Sequence, residues 1–300
     1  MPAYLKSLDQ GELEKRVQLA AHHLENCDVC PLECGVNRLE GELGVCKTGE
    51  FARVSSSFAH PGEEGPISGN RGSGTIFFNR CNLRCVYCQN ADISQVSFGC
   101  EVTPEDLAKV MLNLQARGCH NINFVSPSHI VPQILAGIYL AAQSGLHIPL
   151  VYNTGGYDSL AMLSLLDGVV DIYMPDMKYG DEPTARKYSR IRNYPTINQQ
   201  AVFEMQRQVG DLKLDNQGIA YRGLLVRHLV LPNKLAGSEA ILRFLAEKVS
   251  KQVYVNIMAQ YHPAHLVAGD YPELNRRIRP EEYKAVVAIA RRLGLNRLAI

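Results

Sequence analysis

Apolar residues recur along this chain with two periods. In 9–26, Leu13, Val17, Ala20, Ala21 and Leu24 fall on one helical stripe behind Asp9 as a cap. From Thr75 onward, short apolar runs alternate with amphipathic segments. The runs 75–79, 121–125, 149–153, 169–174, 225–231 and 253–258 predict strands, with helices between them at about 104–117, 131–144, 158–166, 196–209, 238–250 and 281–293. The first of these helices is the best punctuated. Thr103 is placed to cap it, Pro104 opens it, Glu105 and Asp106 sit at its positive end and Gly118 stops it. Strands alternating with helices imply parallel pairing through crossover helices. The expected fold class is therefore α/β, a partial (β/α)6 TIM-type barrel. The stretch 215–223 interrupts the rhythm as a loop or small hairpin.

Residues 27–74 break the pattern. They are rich in Cys, Gly, Pro and Glu, with little apolar periodicity, and predict a small loop-rich module. The expected division is an N-terminal helix and Cys-rich metal-binding module over 1–70, then a barrel domain over 71–300. The chain has 300 residues, 46% hydrophobic and 20% charged, which is ample for one large core. With 31 Lys+Arg against 30 Asp+Glu, no basic excess points to nucleic acid or an anionic membrane surface. No apolar run reaches the ~18 residues of a membrane span. Met1 to Lys15 lacks the apolar core of a signal peptide, so the chain reads as cytoplasmic.

Cysteine usage changes the picture. Of 9 cysteines, seven lie between Cys27 and Cys88, and in a reducing compartment such clustering favours metal or catalytic use over disulfides. Strand 75–79 runs directly into Cys81, Cys85 and Cys88, spaced C-x3-C-x2-C. Three thiolates on one tight loop can hold three corners of an iron–sulfur cluster and leave the fourth iron without a protein thiolate. An open corner suits substrate activation, whereas a four-Cys shell serves structure or electron transfer. The competing readings are a zinc site finished by a distant His, for which paired C-x2-C is the commoner signature, and a non-catalytic electron carrier.

The segment CNLRCVYC, with an aromatic before its last Cys, is similar to the signature of the radical S-adenosylmethionine superfamily. The resemblance implies that Cys81, Cys85 and Cys88 hold a 4Fe–4S cluster whose open iron is chelated by S-adenosylmethionine, with Tyr87 against the adenine. It implies reductive cleavage to methionine and a 5′-deoxyadenosyl radical that abstracts hydrogen from a substrate. It also implies a reduced flavodoxin- or ferredoxin-type electron donor. Within the superfamily the chain most resembles the pyruvate formate-lyase activating enzyme group. The residues that carry this are Gln89-Asn90, Asn153-Thr154-Gly155-Gly156, Tyr173 to Lys178, Val226 to Pro232, and Asn256-Ile257-Met258 with Tyr261-His262. That group's substrate is a backbone glycine of a partner protein; another protein, a peptide or a small molecule is the alternative.

The resemblance further implies a monovalent cation site built from Asn153, Thr154, Met174 and Asp176. Asp176 and Lys178 alternate at a strand end, so both can face the barrel mouth, where such barrels carry their chemistry. One element departs from the family. After the second strand a Gly-Gly-Glu-type segment is usual, and here Ser126-Pro127-Ser128-His129 stands in its place. Ser126 and Ser128 can still accept a hydrogen bond from the cofactor's amine. His129 lies either at the mouth or packed in the core. Arg227 and His228 are neighbours in an apolar strand, so only one faces the interior, where a cation could meet the cofactor's carboxylate. His262 and His265 are separated by Pro263 and make a poor metal pair.

Cys27, Cys30, Cys34 and Cys46 form a second set, C-x2-C-x3-C-x11-C, among Gly35, Gly41 and Gly44. Four thiols in a Gly-rich loop can close a tetrahedral shell for structural zinc or hold a second iron–sulfur cluster; free thiols or a redox pair are the alternatives. A thioredoxin-type role for Cys27 and Cys30 fits poorly, because the pair follows a helix and joins two further cysteines. Cys100 and Cys119 read as small core residues.

Overall fold

The computed structural model describes residues 1–96 and 99–299. The chain opens with two helices, α1 (Ala3–Asp9) and α2 (Glu12–His22). The single helix expected over 9–26 is broken because Gly11 turns left-handed (φ 70), which makes Asp9 the end of one helix and not the cap of another. The Cys-rich segment follows as irregular backbone to Glu50, with one short 3-10 turn at Arg38–Glu40.

The rest alternates as expected, with additions. In order come β1 (Ala52–His60), α3 (Gly65–Ser68), β2 (Ser73–Phe78), α4 (Ala91–Ser94), β3 (Cys100–Val102), α5 (Pro104–Ala116), β4 (Ile122–Val125), α6 (Val131–Gln143), β5 (Leu150–Thr154), α7 (Leu160–Leu166) and β6 (Ile172–Pro175). Then follow α8 (Glu182–Ser189), α9 (Tyr194–Val209), β7 (Lys213–Leu214), β8 (Ala220–Leu229), α10 (Ser238–Phe244), β9 (Tyr254–Met258), α11 (Val267–Asp270), α12 (Pro280–Arg292) and β10 (Leu298–Ala299). The strand order is β10-β9-β8-β6-β5-β4-β2-β1-β3, with β7 beside β8. The strands from β2 through β10 along that path pair in parallel, while β1 is antiparallel to both β2 and β3. The sheet curls without closing, a partial TIM-type barrel of mixed α/β class with a Cys-rich N-terminal region.

Local chemistry explains the elements that were foreseen. Thr103 Oγ1 accepts from the Asp106 amide at 3.2 Å and caps α5. The 215–223 stretch is the β7–β8 hairpin, closed by Asp215, whose carboxylate accepts the Gln217 and Ile219 amides. The loop-rich reading of 27–74 fails at Ala52–His60. That strand alternates weakly because both its faces are only half-covered, so period 2 does not show in its composition. It joins the Cys-rich region to the barrel sheet through β2.

Two apolar layers cover the sheet, one inside the barrel and one outside it. Ile67, Val151, Ile172, Met174, Leu212, Ala220 and Leu225 make an apolar floor. Ile67 comes from the β1–β2 connection, which lies at the end of the barrel where β2, β4 and β8 begin. Its neighbours Glu63 and Glu64 reach across to opposite walls: Asn123 of β4 donates to Glu63 at 3.1 Å and Asn256 of β9 to Glu64 at 2.8 Å. The outward faces, with Ile76, Phe124, Tyr152, Tyr173, Leu224 and Val226, pack under the helices in the main core.

Candidate active site

β2 ends at Phe78, and the loop that follows carries Cys81, Cys85 and Cys88 over the barrel mouth. The loop is fixed largely by backbone. Arg84 and Val86 amides donate to the Ser189 and Tyr188 carbonyls at the end of α8 (3.2 and 2.8 Å), and the Leu266 amide donates back to Val86 at 2.9 Å. Asn82 Nδ2 donates to the Tyr157 carbonyl at 2.7 Å. Arg80, at φ 74, makes the sharp exit from the strand. All three thiols lie within electrostatic reach of one another.

The thiols sit in a low-dielectric place. Burial pushes the Cys81 thiol up to about 12. Burial also raises Cys85, against the pull of the Lys178 ammonium. Cys85 Sγ lies 2.9 Å from Ser189 Oγ, and Cys88 Sγ 3.2 Å from Ser94 Oγ. Such thiols ionise when iron binds them, because the metal replaces the lost hydration. Among the described residues, no three His, Cys, Asp or Glu side chains converge as ligands of a single ion would. A cluster asks for something else, three thiols on three corners, and the donor set on this loop fits it. No fourth thiol joins them: Cys100, expected in the core, is exposed on β3, across β1 from the loop. Cys119 is buried as expected.

Beneath the loop lies a charge network largely shielded from water. Arg227, on β8, points inward. Its Nε donates to Asp176 Oδ1 at 2.9 Å, and a terminal nitrogen donates to Asn153 Oδ1 at 2.7 Å. Lys178 Nζ donates to Asp176 Oδ2 at 2.6 Å. Glu63 lies 3.8 Å from Arg227 on the other side. Burial opposes ionisation of Asp176, but Arg227 and Lys178 outweigh it and hold the carboxyl below its usual range. Burial works against the Lys178 ammonium too, and Asp176 overrides it, pushing it up to about 12. Glu63 is pushed up by burial, with Arg227 opposing. The arrangement is one carboxylate pinned between two cations under the cysteine loop.

Strand alternation sorts the remaining expected residues. His228 faces away from the barrel, with Nδ1 2.7 Å from the Met177 carbonyl and Nε2 2.8 Å from Ser238 Oγ. It is a packed core histidine and not a cofactor contact. Asn153 and Met174 face inward, Met174 within the floor. Thr154 faces outward. Its hydroxyl donates to Asp158 Oδ2 at 2.7 Å and meets Ser128 Oγ at 2.8 Å. The structure therefore separates Thr154 and Ser128 from the mouth, and burial raises the Asp158 carboxyl they share. Ser126, at φ 61, is half-buried at the end of β4 beside Asn153, whose carbonyl accepts its amide at 2.9 Å. Tyr87 is buried: its hydroxyl donates to Tyr179 at 2.7 Å, and its ring meets Tyr179 and Tyr261 edge-on. Its side chain stiffens the loop from behind. Asn90 is exposed at the start of α4, and Gln89 reaches His262 Nδ1 at 3.2 Å.

His129 is wholly buried, with Nε2 3.3 Å from the Asn79 carbonyl. Burial, with Arg38 nearby, pulls it down to about 3. The unfolded chain takes up this proton near pH 6.5 and the folded one only near 3, so stability falls as pH drops between those values, by about 1.4 kcal/mol per unit. Urea unfolding at pH 7 and pH 5 should show a smaller loss for His129→Asn than for wild type. Equal losses would refute the assignment.

Sequence reasoning missed Glu63, Glu64, Asn123 and Asp158. Asn121 and Asn123 alternate with Ile122 and Phe124, a polar inward face that was there to be seen. Nothing in the sequence around Glu63 marks it as reaching the barrel interior.

Residues 75–233 match the radical SAM superfamily. An uncharacterised protein of Methanocaldococcus jannaschii is 33% identical over 292 residues, 95% of this chain and 80% of that protein. Pyruvate formate-lyase-activating enzyme of Clostridium pasteurianum is 30% identical over 112 residues, 36% of this chain and 46% of that enzyme. Among solved structures, a radical SAM methyltransferase from Sphaerobacter thermophilus shares the fold with a TM-score of 0.53 and 14% identity, over 75% of this chain and 65% of that one. No helix among the described residues is long and apolar enough to cross a membrane. With its three-cysteine loop set over the mouth of a partial barrel and more than half its length matching, this chain belongs to the radical SAM superfamily.

Proposed function

We propose that this enzyme abstracts hydrogen from a backbone glycine of a partner protein, the activity of a glycyl-radical activating enzyme. The observation that carries the reading is the Asp176–Lys178–Arg227–Asn153 network under the cysteine loop, built from the strand ends that resemble the pyruvate formate-lyase activating group. The 112-residue similarity to such an enzyme supports it. When bound through Cys81, Cys85 and Cys88, the cluster supplies with S-adenosylmethionine a one-electron route to a 5′-deoxyadenosyl radical. The chain's own residues do the positioning. Arg227 and Lys178 offer cations to an anionic cofactor group, and Asp176 keeps both cations in place. Asn153, Met174 and Asp176 remain a candidate set for a monovalent cation, with oxygen ligands from the first and last. The tyrosines behind the loop exclude water from the site.

The test is anaerobic incubation of reconstituted, reduced enzyme with S-adenosylmethionine and a glycyl-radical enzyme encoded by the same organism. A glycine-centred doublet in the EPR spectrum is the expected result. Production of 5′-deoxyadenosine with no such signal would eliminate glycine as the substrate and leave another protein, a peptide or a small molecule.

A further inference from the structure

Arg38 is wholly buried, the largest side chain among the described residues to be so. Among the described residues no carboxylate lies within ion-pair distance of it. One terminal nitrogen donates to the His129 carbonyl at 2.8 Å and the other points to Cys46 Sγ at 3.6 Å, while its Nε has no partner. A guanidinium does not shed its proton, so this is a buried cation that needs a buried anion. Beyond that one carbonyl, the side-chain atom its guanidinium meets is sulfur. A Cβ built on Gly44 would fall 3.2 Å from Cys34 Sγ, 3.4 Å from Cys46 Sγ and 3.5 Å from the Arg38 terminal nitrogen, so the three converge on one point. Cys27 is within electrostatic reach of Cys34, and Cys30 of Cys27 and Cys46.

The backbone around these sulfurs is bent for the purpose. Cys30 and Gly44 each open a tight turn, with the Glu33 amide donating to Cys30 at 3.0 Å and the Lys47 amide to Gly44 at 2.8 Å. Glu33, before Cys34, and Lys47, after Cys46, are non-glycine residues at positive φ (39 and 61). Such strain persists where something holds it. Four neutral thiols would leave Arg38 uncompensated, and four bare thiolates would repel one another. Four thiolates on a 4Fe–4S core of charge +2, or on a Zn²⁺ that draws them closer than they now stand, carry a net charge of about −2 and answer both problems.

We infer that Cys27, Cys30, Cys34 and Cys46 hold a thiolate-ligated metal centre of net negative charge, with Arg38 buried beside it as its counter-cation. The centre braces the cysteine loop of the active site. Arg84, between Cys81 and Cys85, donates to the carbonyl of Val45, next to Cys46, at 2.9 Å. Arg38 reaches the same loop through His129 and Asn79, and Leu32 packs in the cluster that includes Cys81 and Cys88.

Metal analysis of anaerobically reconstituted protein decides the point. A zinc occupant gives about four iron and about one zinc per chain, and a second cluster about eight iron and eight sulfide. Four iron, four sulfide and no zinc would overturn the inference. Cys30→Ser with Cys46→Ser should remove only the second complement. Arg38→Gln should lose that complement to a chelator several-fold faster than wild type, and Arg38→Lys should retain it. Wild-type retention in Arg38→Gln would overturn the counter-ion role. These last two arms and the wild-type stoichiometry stand even if the cysteine double variant fails to fold.

Discussion

Cys85→Ser should leave no detectable 5′-deoxyadenosine when the reduced protein is incubated with S-adenosylmethionine, beside clear product from wild type. Cys85 is the middle thiol of the loop and lies within electrostatic reach of Lys178 and Asp176 as well as Cys88. A serine there keeps the volume and the contact with Ser189 but offers iron a poor ligand. The loop itself should survive, because the Arg84, Val86 and Leu266 amides hold it through backbone bonds that the substitution does not touch. The expected result is therefore loss of about four iron per chain and of all product, with an unchanged circular dichroism spectrum. Iron content and product are measured on the same sample. Product at a tenth of wild type or more would mean that these three thiols do not carry the chemistry. It would return the chain to the electron-carrier reading of its cysteines.

Arg227→Met should destabilise the protein by about 1.5–3 kcal/mol, because Asp176 keeps Lys178 but loses a charge-assisted bond in a place largely shielded from water. Arg227 and Asp176 are both largely shielded from water, and Asn153 loses a 2.7 Å bond at the same time. Glu63, already raised by burial, loses its nearest cation. Lysine should not restore the arrangement, since a single ammonium cannot span Asp176 and Asn153 as a guanidinium does. Asp176→Asn should also destabilise, and the double variant Arg227→Met with Asp176→Asn should cost clearly less than the sum of the two. Urea unfolding of the four proteins gives the coupling directly. Additive losses would show that the two side chains do not depend on one another.

Much of the fold was legible. The six strands came from apolar runs bounded by turn residues, and the helix after Thr103 from its capping chemistry. These signals are local, so they survive in one dimension. The strand β1 did not show, because a strand half-covered on both faces has no apolar alternation to read. The cysteine loop was legible because its spacing is local too. The wider site was legible only in part. Asp176, Lys178 and Asn153 were placed by strand-end reasoning. Ser128 and Thr154 were assigned to the same mouth; alternation turns Thr154 away from it and Ser128 bonds to Thr154, while the choice between Arg227 and His228 was left open.

The sequence by itself determined the α/β alternation, the three-thiol loop and the open corner it leaves, since spacing and periodicity along the chain fix these. Tertiary structure decided which of Arg227 and His228 enters the barrel, because the face turned inward depends on how β8 registers against β6 and β9. It decided that Glu63 and Glu64 reach opposite walls of the barrel from a connection with no periodic signal. It also decided that Arg38 is buried among four cysteines and two hydrogen bonds from Asn79, next to the active-site loop. Contacts of that kind join residues far apart in sequence, and only the folded chain brings their charges close enough to depend on one another.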